Sequence, residues 1–353
     1  MSKMLEEIRE QPAALERTLR LGLKAAAKLA REVVKKRPKL IVLAARGTSD
    51  NAAQFGRYLL EITTGIPVSL AAPSLFTLYD ARIDLKEALI VAISQSGEST
   101  DTNAVLERGR EQGALTVGIT NEPASSLAKI ADHLFFVRAG RERSVAATKT
   151  YTGQVMSLYL LAHALGARFR LDDLRKVPDW AADALELEDR ITARAERYRF
   201  MERAIVVGRG LNYANAFEFA LKLMETCYVV AERFSTADFL HGPIAMVERS
   251  FPMFLFTPRG VTWDGMREMI ERLAALKAET LIFTDASNAQ AAEWNPRAVV
   301  IPARLSRRAT RPEELYTPIP YIIPAQIFAA TLAAWKGLDP DRPRTLSKVT
   351  RTL

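Results

Sequence analysis

Short apolar runs recur along the chain, separated by longer stretches of mixed polarity. Ile41-Val42-Leu43-Ala44-Ala45, Leu89 to Ile93 and Leu115 to Ile119 are followed much later by Ile205-Val206-Val207, Met253 to Phe256 and Leu281 to Phe283. Each run has the length of a strand and ends in a Gly-containing or polar loop. Continuous apolar runs, as opposed to alternating ones, are the mark of strands buried on both faces. With helical stretches between them, they predict an α/β fold of parallel sheets with helices on both faces.

The pattern repeats. Ile41 to Gly47 reads as a buried strand entering a Gly turn, and Ile205 to Gly210 reads the same way. In the helices that follow, Asn51-Ala52, Phe55, Leu59 and Glu61 match Asn215-Ala216, Phe219, Leu223 and Glu225 at identical spacing. The second strands lead into corresponding loops, Ser94-Gln95-Ser96-Gly97 and Thr257-Pro258-Arg259-Gly260. Self-similarity of this kind marks a duplicated unit. It predicts N-terminal helices over 1–34, one domain over 35–167, a charged helical bridge over 168–198 and a second domain over 199–353. The bridge lacks Gly and Ser, so it reads as a surface-packed helix and not a loose linker.

Composition changes little. A chain of 353 residues has room for two cores. The net charge of +8 suits an anionic ligand. The basic residues are dispersed, without a helix-turn-helix, finger or aromatic-basic platform, so no nucleic-acid partner is expected. No apolar run comes near the length that spans a bilayer, and the N-terminus has no apolar secretory core, so no membrane partner is expected and the cytoplasm is the expected compartment. The single cysteine, Cys227, lies in an apolar stretch and reads as a buried small hydrophobe.

Ligands of parallel sheets bind beyond the carboxyl ends of the strands. The richest loop there is Ser94-Gln95-Ser96-Gly97-Glu98-Ser99-Thr100, ahead of a helical stretch from Asn103 to Arg110. Hydroxyls beside the free N–H groups of a helix N-terminus make a phosphate site; the simpler alternative is an ordinary N-cap, which needs one hydroxyl. The loop lacks a P-loop ending, and Tyr213 stands where Gly208-Arg209-Gly210 would need a third glycine to bind a dinucleotide. Glu218, Lys222 and Glu225 share one face of a largely apolar helix over Asn215–Tyr228. On pattern alone that stripe faces solvent, the alternative being a polar cavity. His241 sits in the turn Phe239-Leu240-His241-Gly242-Pro243 and on pattern alone is structural, while His133 and His163 read as packed or solvated. No spacing of His, Cys and acids suits a metal, and none is expected.

These motifs together resemble the sugar-isomerase (SIS) family, in particular the isomerase portion of glucosamine-6-phosphate synthase. The resemblance runs through Arg46-Gly47-Thr48-Ser49, Ser94 to Ser99, Val145-Ala146-Ala147-Thr148-Lys149, Glu218 to Glu225, His241-Gly242-Pro243 and Pro343 to Lys348, in order, over essentially the whole chain. It outweighs the solvated reading of Glu225 and the structural reading of His241. It implies two tandem SIS domains and a hexosamine or ketohexose 6-phosphate as substrate. Ser94, Gln95, Ser96 and Ser99 would hold the phosphate, and Thr48 and Ser49 the sugar, with Val145, Ala147 and Ser347 also at the substrate. Glu225 would move a proton between C1 and C2, supported by Glu218 and Lys222. His241 would assist ring opening from a neighbouring subunit, which implies a homodimer. Lys348 would form a Schiff base with the ketose. No cofactor is implied.

The departures narrow the reaction. No glutaminase cysteine precedes the isomerase portion, so no glutamine hydrolysis is expected. Ala147 replaces a sugar-contacting serine of the synthase. Ser144 to Lys149 and Phe234-Ser235-Thr236-Ala237-Asp238 are similar to stand-alone SIS-type glucosamine-6-phosphate deaminases. The expected reaction is isomerising deamination of glucosamine 6-phosphate to fructose 6-phosphate and ammonia. The alternatives are a fructosamine-6-phosphate deglycase, a phosphosugar ketose–aldose isomerase and a non-catalytic sugar-phosphate sensor. Retention of Glu225, His241 and Lys348 argues against the sensor.

Overall fold

A computed structural model describes residues 2–295, 297–307 and 310–348. The chain divides into two compact units. The first is built from Ala13–Glu142, Ala147–Phe169 and the described tail from Leu346. The second takes the described part of Met1–Pro12, Arg143–Ala146 and Arg170–Thr345. The N-terminal segment is thus shared out: Lys3–Arg9 is a helix of the second unit, while most of the helix Gln11–Lys36 lies in the first. The charged segment ahead of the second sheet joins the second unit through the helices Val177–Leu185 and Glu188–Ala195, which bury Trp180, Ala184 and Ile191.

The first unit holds five strands: β1 Leu40–Ala44, β2 Val68–Leu70, β3 Ala88–Ile93, β4 Leu115–Thr120 and β5 His133–Phe136. All neighbours are parallel, in the order β2-β1-β3-β4-β5. Every residue of β3 and β4 is buried, as expected of central strands covered on both faces. Val42, Ala44, Ile90 and Ala92 pack with Val105 and Leu106 of the helix Thr100–Glu111 on one face. Leu43 turns the other way, toward Gly56 of the helix Thr48–Thr64. Behind it, Phe55 meets Tyr159 of the helix Lys149–Ala164, with ring centroids 5.1 Å apart.

The second unit repeats the plan with β6 Arg203–Val207, β7 Val230–Phe234, β8 Pro252–Phe256, β9 Glu279–Asp285 and β10 Val299–Ile301. They too are parallel, in the order β10-β9-β8-β6-β7. Read from the β7 edge, this is the order of the first sheet. The duplicated α/β architecture expected from the repeat is therefore present. The edge strands β2, β5, β7 and β10 were not legible as apolar runs, because they are short and expose part of their length.

One expectation is corrected. The helix Pro318–Trp335 is long and apolar enough to cross a membrane by length and composition, although its Pro, Tyr, Gln and Thr residues broke up the apolar run in the sequence. It is 89% buried inside the protein, so it is a core helix. Its Phe328 belongs to an aromatic cluster centred on Phe219, whose ring lies 5.1 Å from Phe254, 5.7 Å from Phe283 and 5.8 Å from Phe328. Along β8 the side chains alternate: Met253 and Leu255 face Met266, Met269 and Leu273 of the helix Trp263–Ala275, while Phe254 and Phe256 face Phe219. Phe219→Ala empties the centre of that cluster and is expected to destabilise the protein by about 3–5 kcal/mol. Urea unfolding checks it; a loss below about 1 kcal/mol would contradict this packing.

Candidate functional site

In both sheets the strand order reverses between the first and third strands in sequence, and such a switch point is where ligands bind. In the first unit the loops at that point are Ala45–Gly47, after β1, and Ser94–Ser99, after β3. Gly47 precedes the helix begun by Thr48, which is partly exposed. Ser49 is buried, and its hydroxyl accepts a 2.9 Å hydrogen bond from Gln154 Nε2.

The serine loop folds on itself. Ser94 Oγ accepts from the Gly97 N–H at 3.0 Å, and Ser96 Oγ from the Glu98 N–H at 3.3 Å. Gly97 has φ +67°, and a Cβ there would lie 2.2 Å from Ser125 Oγ, so glycine is required twice over. Asn103 Nδ2 donates to the Gly97 carbonyl at 3.2 Å. Ser99 stands at the N-cap of the helix Thr100–Glu111 but does not cap it; its hydroxyl pairs with Thr102 Oγ1 at 2.9 Å. The N-cap reading therefore fails for the residue placed to do it. Gln95, Ser96 and Ser99 remain partly exposed around the helix N-terminus, the arrangement that suits an oxyanion. Arg46, from the neighbouring loop, forms a 2.6 Å ion pair with the buried Asp101 in the first turn.

The first unit also holds a buried carboxylate that sequence reasoning did not single out. Glu142 is fully buried and pairs with Lys348 Nζ at 2.9 Å. It also accepts from Thr148 N, Thr150 N and Thr150 Oγ1. Burial on its own would push this carboxyl up. The Lys348 charge and the hydrogen bonds from Thr150 and Thr148 outweigh it, and the group is held below the usual carboxylate range. In sequence Glu142 sits between Arg141 and Arg143, a charged run that reads as solvated. The one available signal was its closeness to Val145–Lys149. Ala147 is partly buried just ahead of the helix Lys149–Ala164, and Ser347 is exposed beside Lys348.

The second unit holds the charged stripe. The helix Tyr213–Cys227 ends where Tyr228 turns left-handed, at φ +52°. Lys222 and Glu218 have no exposed side-chain surface, and Glu225 keeps 23%. Lys222 Nζ lies 2.5 Å from Glu225 Oε2 and 3.4 Å from Glu218 Oε1. Burial alone would lower the lysine pKa; two carboxylates outweigh it and raise it. The stripe does not face solvent, which corrects the reading from pattern alone. His241 is exposed at the end of the helix Thr236–Leu240, and Val145 is partly buried. Cys227 is buried, and the same burial pushes its thiol up to about 11. Among the described residues no cluster of three or more His, Cys, Asp or Glu is placed to hold a metal.

The loop matching the serine loop, after β8, is already filled. Gly260 has φ +148°, and a Cβ there would lie 1.9 Å from Glu314 Oε2. That buried carboxylate accepts from the Val261 N–H at 3.3 Å. Burial pushes its carboxyl up, against hydrogen bonds from the backbone. A buried acid of the chain thus lies against this turn, as Ser125 lies against Gly97 in the first unit.

Comparison with known proteins agrees with the duplication. The family model of the SIS domain matches twice, over residues 36–164 and 199–333. A glutamine–fructose-6-phosphate aminotransferase (isomerizing) of Pyrococcus horikoshii is 36% identical over 352 residues, which is 98% of this chain and 57% of that protein. The chain thus spans little more than half the length of such relatives. The C-terminal domain of glucosamine-fructose-6-phosphate aminotransferase from Francisella tularensis superposes with a TM-score of 0.86 at 29% identity, covering 97% of this chain and 98% of that one. Glucosamine-6-phosphate deaminase from Thermotoga maritima has the same fold, with a TM-score of 0.77 at 21% identity, covering 99% of this chain and all of that one.

The buried stripe makes a testable demand. Lys222→Met deprives two carboxylates of their shared cation and is expected to destabilise the second unit by about 3–5 kcal/mol. Denaturant titration measures it, and a change under about 1 kcal/mol would show that the ion pairs are dispensable.

Proposed function

The chain belongs to the SIS-domain family, and on that premise we propose that it is a phosphosugar enzyme that deaminates glucosamine 6-phosphate to fructose 6-phosphate and ammonia. Ser94, Gln95, Ser96 and Ser99 take the phosphate, and Thr48 and Ser49 the sugar, with Val145, Ala147 and Ser347 as further contacts. His241 assists ring opening. Glu225 then removes the C2 proton, made acidic by the C1 carbonyl of the open chain, and returns it to C1. The product is the C2 imine of the ketose, and water hydrolyses it to fructose 6-phosphate with loss of ammonia. The opened sugar supplies its own electron sink, so the reading needs no cofactor. Lys222 and Glu218 hold the base in place, and Lys348 acts at the ketose carbonyl.

The observation that carries the reading is Glu225 itself, a carboxylate with one accessible edge set 2.5 Å from a fully buried ammonium. Such a group is fixed in position and able to exchange a proton. The choice of deamination rests on Ala147 and on the likeness of Ser144–Lys149 and Phe234–Asp238 to the stand-alone deaminases. The 36% identity to glutamine–fructose-6-phosphate aminotransferase favours a second reading. There the same proton transfer runs from ketose and ammonia toward the amino sugar.

A screen of ammonia release over hexosamine 6-phosphates and fructosamine 6-phosphates separates these readings. Glucosamine 6-phosphate is expected to give ammonia and fructose 6-phosphate, and Glu225→Gln to lower turnover about 10²–10⁴-fold with substrate binding largely retained. Release of an amine from fructosamine 6-phosphates alone would replace the proposal with a deglycase. Net formation of amino sugar would favour the second reading.

We also propose a cytoplasmic homodimer in which His241 serves the neighbouring subunit's site. Its support is the match of His241-Gly242-Pro243 to the family's turn and the exposure of His241 on the single chain. Co-refolding Glu225→Gln with His241→Ala is expected to restore part of the activity, because a mixed dimer has one intact site. A mixed dimer that stays inactive would place both residues' work within one subunit.

A further inference from the structure

Lys348 and Glu142 are 206 residues apart in sequence and 2.9 Å apart in the first unit. The two carboxylate oxygens divide their partners. Oε1 accepts from Thr148 N at 2.9 Å and Thr150 N at 3.1 Å, at the start of the helix Lys149–Ala164. Oε2 accepts from Thr150 Oγ1 at 2.6 Å and from Lys348 Nζ. The adjoining Lys149 Nζ donates to the Arg141 carbonyl at 2.8 Å, which fixes the strand of chain that carries Glu142. Glu142 has no exposed side-chain surface, and Lys348 keeps 25%.

Ion pairs between two solvated side chains do little to hold a chain end. This one is different. Its acid is already desolvated and held by three other donors, so the lysine meets a rigid, oriented acceptor. We propose that Glu142 is a positioning residue: its Oε1 orders the Thr148–Thr150 turn, and its Oε2 seats the segment Leu346–Lys348 by holding Lys348. For Lys348 this rests on the role proposed above; for the tail it rests on geometry alone.

Glu142→Gln separates the two halves of the carboxylate. The amide oxygen can keep the two backbone N–H groups, while the amide nitrogen cannot accept from an ammonium. Hydrogen exchange of the peptide beginning at Pro343, followed by mass spectrometry, is the direct readout. Exchange is expected to speed up about tenfold or more in Glu142→Gln and in Lys348→Met, the range for a lost hydrogen bond to a charged group. The double variant is expected to exchange no faster than either single one, because both break one pair. Lys348→Met leaves every bond to Oε1 in place, so it carries the test if Glu142→Gln fails to fold. Unchanged tail exchange in Lys348→Met overturns the proposal, and so does additivity in the double variant.

Turnover of glucosamine 6-phosphate gives a second readout. Glu142→Gln is expected to lower kcat about tenfold or more and to leave KM within about threefold, since the phosphate is held elsewhere. A rise in KM with kcat unchanged would overturn the positioning role. A wild-type protein inactive on every phosphosugar would count against the proposed function, and tail exchange would still decide the anchoring.

Discussion

The second unit is organised around a lysine that water does not reach. Lys222 sits on the helix Tyr213–Cys227 between Glu218, four residues before it, and Glu225, three residues after. An isolated ammonium there would be prohibitively costly, and the two carboxylates offset that cost only because helical spacing brings them to it. A neighbouring face of the same helix carries Phe219 into the aromatic layer over β8 and β9. Aromatic packing beside the ion pairs leaves the helix little freedom to rotate. Glu225 inherits that rigidity and is the member of the stripe that keeps an accessible edge.

Duplication gave two loops of the same origin and the two have diverged in content. After β3 the loop is rich in hydroxyls and its N-cap serine leaves the helix amides uncapped. After β8 the corresponding turn approaches a buried acid so closely that only a glycine fits at 260.

The parallel sheets, their duplication and the serine loop were legible because central strands and post-strand loops have distinctive residue patterns. Ile41–Ala45 and Ile205–Val207 announce their strands without outside help. Edge strands such as β10, three residues long, carry no such signal. The charged stripe was misread by pattern because periodicity says which residues share a face and not what covers it; Lys222 is buried. Glu142 was invisible for a related reason. Its partner Lys348 lies 206 residues away, and flanking arginines disguise it as surface. Long-range pairing is a property of the fold, and a single sequence does not report it.

The step proposed for Glu225 is movement of a proton at C2 of a phosphorylated amino sugar. Proton NMR of glucosamine 6-phosphate in deuterated buffer tests it without coupling to ammonia release. Steady loss of the C2–H signal is expected with the wild-type protein and none above background with Glu225→Gln. Loss of that signal at equal rates in both proteins would contradict it, as would a wild type that binds the sugar phosphate and leaves C2–H intact.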